Sequence, residues 1–143
     1  MASGYLEVQL DWVAADQGRV AALAALLLTV PLQVLASVFG FLARDPVAET
    51  GMGLLAGAWA VAGMVTLTSA PGTTSRALGV VLLAVAAALL VPCAAATGKI
   101  LTAAVMAMSA LRFAATGVYE LTASGTWATV AGWIGVLLAL LAL

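Results

Sequence analysis

The chain of 143 residues is 65% hydrophobic and 8% charged, with a mean hydropathy of +1.20 and a net charge of −1. A soluble domain is nearer half apolar and a quarter charged, and one of this length leaves too much surface wet to hide so many apolar side chains, so lipid must be the solvent. The charge leaves no basic footprint for nucleic acid, the absence of histidine removes the commonest metal ligand and general base, and a lone cysteine, Cys93, excludes an internal disulfide.

Met1 to Asp16 carries acids and no base, so a targeting peptide is not expected in this stretch. Leu6, Val8, Leu10 and Trp12 alternate with Glu7, Gln9 and Asp11. This pattern of period two reads as a short strand or an interfacial stretch, and an interfacial stretch with Trp12 at headgroup level is favoured. Residues 1–19 are accordingly a polar, interfacial segment and residues 20–143 one transmembrane domain.

Val20 to Ala43 is uncharged and, at about 1.5 Å per residue, long enough to cross a hydrocarbon core of roughly 30 Å. After Arg44-Asp45-Pro46 and Glu49, Thr50 to Thr68 gives the second span, closed by Ser69-Ala70-Pro71-Gly72-Thr73-Thr74-Ser75-Arg76, the clearest turn in the chain. Ala77 to Thr97 is the third span. Gly98-Lys99 turns into the fourth, Ile100 to about Val118, and a loop from Tyr119 to Gly125, with a solvated Glu120, leads into the fifth, Thr126 to Leu143. The chain stops while still apolar, which suggests a C-terminal continuation. The expected fold is an all-α integral membrane bundle of about five transmembrane helices.

Small residues should let these helices meet: Gly53 and Gly57 make a GxxxG pair, and Gly132 and Gly135 repeat small residues on the last span. Pro92 is expected to kink the third span, Cys93 to be a buried small apolar residue, and Met52, Met64, Met106 and Met108 to fill gaps.

Chemistry can reside only in the polar residues inside the spans. Arg112 is the one charge within a helix, and a charged side chain at the bilayer centre costs about 3 kcal/mol on insertion scales. Six residues from Val118, it is expected to snorkel toward the interface; the other reading is an interior anion site for a carboxylate. Gln33 and Ser37 share a face at a spacing of four, and either line a path or bond neighbouring helices. Ser109 and Thr116 align with Arg112, although hydroxyls in membrane helices, Thr66 included, usually bond their own carbonyls. No acid, nucleophile and base assemble, and no phosphate or dinucleotide motif is present, so neither an enzyme nor a cofactor or metal site is expected.

Gln33-Val34-Leu35-Ala36, followed by Ser37 and Phe39-Gly40-Phe41, resembles the second helix of the acetate uptake transporter family, six-helix carriers of short carboxylates of the succinate/acetate proton symporter type. Thr50-Gly51-Met52-Gly53, with Gly57 and Trp59, resembles the start of that family's third helix, and Ala131-Gly132-Trp133-Ile134-Gly135 its last. The five spans then correspond to helices two to six. The Asn-Pro-Ala-Pro-Leu-Gly type signature of the first helix is absent, an acidic residue common near the end of the second is replaced around Gly40, the short Gly-Asn-Thr-Phe-Gly type turn has become Arg44 to Gly51, and Arg112 falls where the family has an apolar residue.

The resemblance implies a multi-pass cell-membrane carrier of acetate and other small monocarboxylates, proton-coupled and homo-oligomeric, with Gln33, Ser37, Ser109, Arg112 and Thr116 as substrate-path candidates. A pore for neutral solutes such as urea and a non-transporting membrane fragment are the alternatives. Lysine and arginine divide evenly between the two sides, so orientation follows the resemblance: N-terminus and Ser75 outside, Lys99 inside.

Overall fold

The computed structural model describes residues 17–141; the expected interfacial stretch around Trp12 and the last two residues lie outside them. Those residues form five helices joined by short turns: α1, Gly18–Leu42; α2, Pro46–Thr68; α3, Arg76–Ala95; α4, Ile100–Thr122; and α5, Gly125–Leu141. The first four are long and apolar enough to cross a membrane, and α5 is a shorter apolar helix of 17 residues. The described residues thus hold helices and no strand, and their four long apolar helices make this a multi-pass membrane protein.

Each helix starts and stops for a local reason. Within α1, Ala25–Thr29 forms a π-helical turn just before Pro31. Proline has no N–H to donate, and its ring crowds the carbonyl four residues back, so a widened turn there accommodates it. Arg44, with φ 56°, reverses the chain. Asp45 then caps α2, its Oδ1 accepting from the Ala48 N–H at 3.2 Å, with Pro46 in the first helical position and Glu49 in the first turn. The helix therefore begins a full turn before the expected Thr50. Ser75 caps α3 by accepting from the Leu78 N–H at 3.3 Å. Gly98, with φ 77°, makes the tight turn between α3 and α4. Ala123 closes α4 in the left-handed conformation, its N–H donating to the Tyr119 carbonyl at 2.7 Å. The expected loop from Tyr119 is therefore another turn of helix.

Two long-range contacts fix which turns share an end of the bundle. Lys99 pairs with Asp45, bringing the α1–α2 and α3–α4 turns together. At the opposite end the Ser75 N–H donates to Glu120 Oε2 at 2.6 Å, joining the start of α3 to the last turn of α4. The helices thus alternate in direction, as their short connections require.

The core lies among α2, α3 and α4, where Leu55, Trp59, Leu78, Leu82, Leu89, Met106 and Phe113 are buried together. Trp59 meets Phe113 edge to face, with centroids 5.8 Å apart. Close approach of α3 and α4 depends on facing glycines: a Cβ on Gly79 would stand 2.9 Å from the Gly117 carbonyl oxygen, and one on Gly117 2.9 Å from that of Gly79. The α1–α2 hairpin closes likewise, with Gly40 against Ala48 and Glu49, and Gly63 against Ala22 and Leu26. Of the expected GxxxG pair, Gly53 faces the Ser37 hydroxyl, whereas a Cβ on Gly57 would meet nothing within 4 Å. The packing face of α2 is therefore rotated away from Gly57. Gly132 and Gly135 are buried on α5 beside Ala131. Met106 is buried and Met64 exposed, so only some of the methionines fill gaps. Large apolar side chains such as Leu27, Phe39, Phe41, Val91, Ile100 and Trp133 face outward, where only lipid or another apolar surface can receive them.

Candidate functional site

Among the described residues, the one basic side chain away from the ends of a span is buried. Arg112 is 4% exposed, with its guanidinium carbon 5.1 Å from the centroid of the Trp59 ring on α2. The expected snorkelling does not occur, for two reasons. Because α4 runs on to Thr122, Arg112 stands about 15 Å from that end and about 18 Å from Ile100 by helical rise, near the middle of the span. Its face of α4 also points at α2, and the π face of Trp59 offers a cation a favourable neighbour in a dry interior.

Arg112 belongs to a polar stripe. Ser109 and Thr116 are 2% and 9% exposed on the same side of α4. At 100° per residue, Ser109, Arg112, Thr116, Tyr119 and Glu120 fall within an arc of about 100°. Opposite, Trp59, Ala62 and Thr66 occupy one face of α2, and the Thr66 hydroxyl donates to the Ala62 carbonyl at 2.9 Å.

The stripe ends at a cavity of about 320 Å³ at the end of the bundle where α2 and α4 finish. All five helices contribute walls: Arg19 and Ala21 from α1, Val65 and Thr66 from α2, Leu78 from α3, Tyr119 and Glu120 from α4, and Ala128 and Thr129 from α5, with Ser69 to Thr73 of the α2–α3 loop at the side. Its volume falls in the range of small-molecule sites. Glu120, expected in a solvated loop, is half-buried on this wall, held by the Ser75 N–H. Tyr119 and Glu120 continue the 109–112–116 spacing, a signal that extending the helical periodicity past Val118 would have exposed.

The pair on α1 divides. Ser37 donates its hydroxyl to the Glu49 carbonyl at 2.7 Å, bonding α1 to α2. Gln33, half-buried, has its amide oxygen shielded from solvent with no hydrogen-bond partner among the described residues. Neither residue, nor Arg112 itself, lines the cavity beside Glu120. Cys93 is half-buried, its thiol directed at the Ala103 carbonyl 3.5 Å away. Among the described residues no group of histidine, cysteine, aspartate and glutamate could hold a metal ion.

Electrostatics at the opposite end are simple. The Lys99 ammonium, hydrogen-bonded to the Asp45 carboxylate, holds that carboxyl below its ordinary value of 3.8, with the Ala48 N–H adding to the effect. In comparisons with protein-family models, curated proteins and solved structures, nothing matches this chain.

Proposed function

We propose that the chain is a membrane carrier for acetate and other small monocarboxylates, and that the cavity beside Glu120 is its vestibule. The observation that carries this reading is a fixed positive charge in mid-bundle on a buried polar stripe that leads from the cavity: Ser109, Arg112 and Thr116, with Tyr119 and Glu120 at its mouth. A guanidinium presents a planar fork of donors matched to a carboxylate, and in a site of low dielectric its attraction for an anion far exceeds that in water. Burying a charge there is costly, which is reasonable where the charge has work to do.

The resemblance of Gln33 to Ser37, Thr50 to Gly53 and Ala131 to Gly135 to segments of the acetate uptake transporters supports the same substrate class. It also supports residence in the cell membrane, proton coupling and assembly of several copies through the apolar outer faces. A pore for urea or other neutral solutes accords less well with a buried arginine on the path, since a neutral solute gains little from a full charge.

The experiment is uptake of labelled acetate into proteoliposomes containing the purified chain. Saturable uptake, competed by propionate and not by urea, is expected. Acetate entry no faster than in protein-free liposomes, including when the chain is supplied with an added first helix, would refute the reading and favour a non-transporting bundle.

A further inference from the structure

We propose that Glu120 is the charge gate of the cavity: while ionised it holds anions out, and on taking up a proton it lets them in. The proposal rests on the reading of the cavity as a carboxylate vestibule and assigns the residue that sets its pH dependence.

Glu120 is the only carboxylate on the cavity wall among the described residues. Its position is fixed, because Oε2 accepts from the Ser75 N–H at 2.6 Å while Ser75 in turn caps α3. The carboxylate cannot swing out to bulk water without giving up that bond. It stands at the mouth of the stripe that leads to Arg112, so an anion leaving the cavity toward Arg112 passes the negative charge of Glu120 on the way. Like charges at close range in a partly enclosed space repel, and protonating one removes the repulsion.

Among the described residues, the other charged or titratable groups on the wall that faces Glu120 are Arg19 and Tyr119. Across the cavity α1 contributes Arg19, and α4 itself contributes the phenol of Tyr119; α2, α3 and α5 present only Thr66, Leu78, Ala128, Thr129 and similar neutral side chains. Protonating Glu120 leaves the guanidinium of Arg19 as the one formal charge on the described wall, so the cavity goes from balanced charges to a net positive one and that change belongs to Glu120.

The test reads charge in the cavity directly and does not require transport. A single thiol is placed on the cavity wall by Ala128→Cys in a Cys93→Ala background, and its modification rates with an anionic and a neutral methanethiosulfonate reagent are compared across pH. The ratio of the two rates cancels the thiolate fraction. Acidification is expected to raise the anionic-to-neutral ratio about fivefold, as removing one charge several ångströms away in a wet cavity should. Glu120→Gln keeps an oxygen for the Ser75 N–H but cannot titrate; its ratio should be high and flat with pH. Arg19→Gln should lower the ratio at all pH values without removing the pH dependence. A flat ratio in the chain with Glu120 intact, or a Glu120→Gln profile that still follows pH, would overturn the gate. Because labelling proceeds with or without uptake, absent acetate transport refutes the vestibule reading while the ratio separately decides the gate.

Discussion

Replacing Gly79 by alanine should pry α3 from α4. The added Cβ would stand 2.9 Å from both the Gly117 carbonyl oxygen and Leu121 Cγ, and 3.2 Å from Glu120 Cβ. Ordinary contact begins near 3.4 Å, so the neighbours must retreat by about 0.5 Å, the difference between 3.4 and 2.9 Å. One of them is backbone, which has no rotamer to change, so the helices themselves must part. Overpacking of this kind costs about 1–3 kcal/mol. Alanine also gains up to about 1 kcal/mol of intrinsic helix preference over glycine, which offsets part of the loss and must be controlled for. Gly57→Ala supplies the control, because its Cβ would meet nothing within 4 Å. Unfolding of both variants in mixed micelles, followed by tryptophan fluorescence and helical circular dichroism, should show Gly79→Ala less stable than Gly57→Ala by about 1–3 kcal/mol. Gly117→Ala, which meets the Gly79 carbonyl oxygen at 2.9 Å, should behave like Gly79→Ala. Equal stabilities for Gly79→Ala and Gly57→Ala would refute the described register of α3 against α4.

Two further outcomes follow from polar groups elsewhere in the bundle. Asp45 is more acidic in the folded chain than its ordinary 3.8, chiefly through the hydrogen bond from Lys99, so its stabilising contribution is present above that value and is lost as pH falls through the lower, folded value. Acid unfolding monitored below pH 4 should therefore lose one pH-dependent component in Asp45→Asn and in Lys99→Gln alike; an unchanged acid limb in both would contradict the pairing. At Gln33 the buried, unpartnered amide oxygen costs about 1–3 kcal/mol if nothing donates to it. Gln33→Leu should hold or raise the yield of folded protein while reducing acetate uptake, and a collapse in folded yield instead would identify Gln33 as helix glue.

The division into five segments is legible in the sequence because charges and turn residues bracket the apolar runs: Arg44-Asp45-Pro46, Pro71-Gly72 and Gly98-Lys99 each fall at or beside an observed turn. The boundaries that moved did so where a charge was read as solvated loop. Asp45 caps the start of α2, and Glu120, in the last turn of α4, bonds the start of α3, so in both cases the acid sits within or beside a terminal helical turn. That one-turn extension of α4 also moved Arg112 from near an end to the middle, reversing its reading from snorkelling to burial. The face of α2 that meets its neighbours could not be read from a GxxxG spacing, because small residues occur all around this helix and only the positions of Trp59, Leu55 and Ala62 in the assembled core decide among them. The cavity was not legible either, since its walls come from five helices and a loop scattered along the chain.

The most direct measurement of the account is acetate and urea uptake, side by side, by proteoliposomes containing the native chain, Arg112→Lys and Arg112→Gln, at matched amounts of folded protein. If the buried guanidinium binds the carboxylate, losing a charge-assisted, paired hydrogen bond should cost acetate uptake about tenfold or more in Arg112→Gln. Arg112→Lys, which keeps the charge but not the fork, should fall between, and any residual urea entry should be the same in all three. Acetate uptake that is unchanged in both variants, or acetate and urea entry that rise and fall together, would show that Arg112 serves only the packing against Trp59 and would contradict the carrier mechanism.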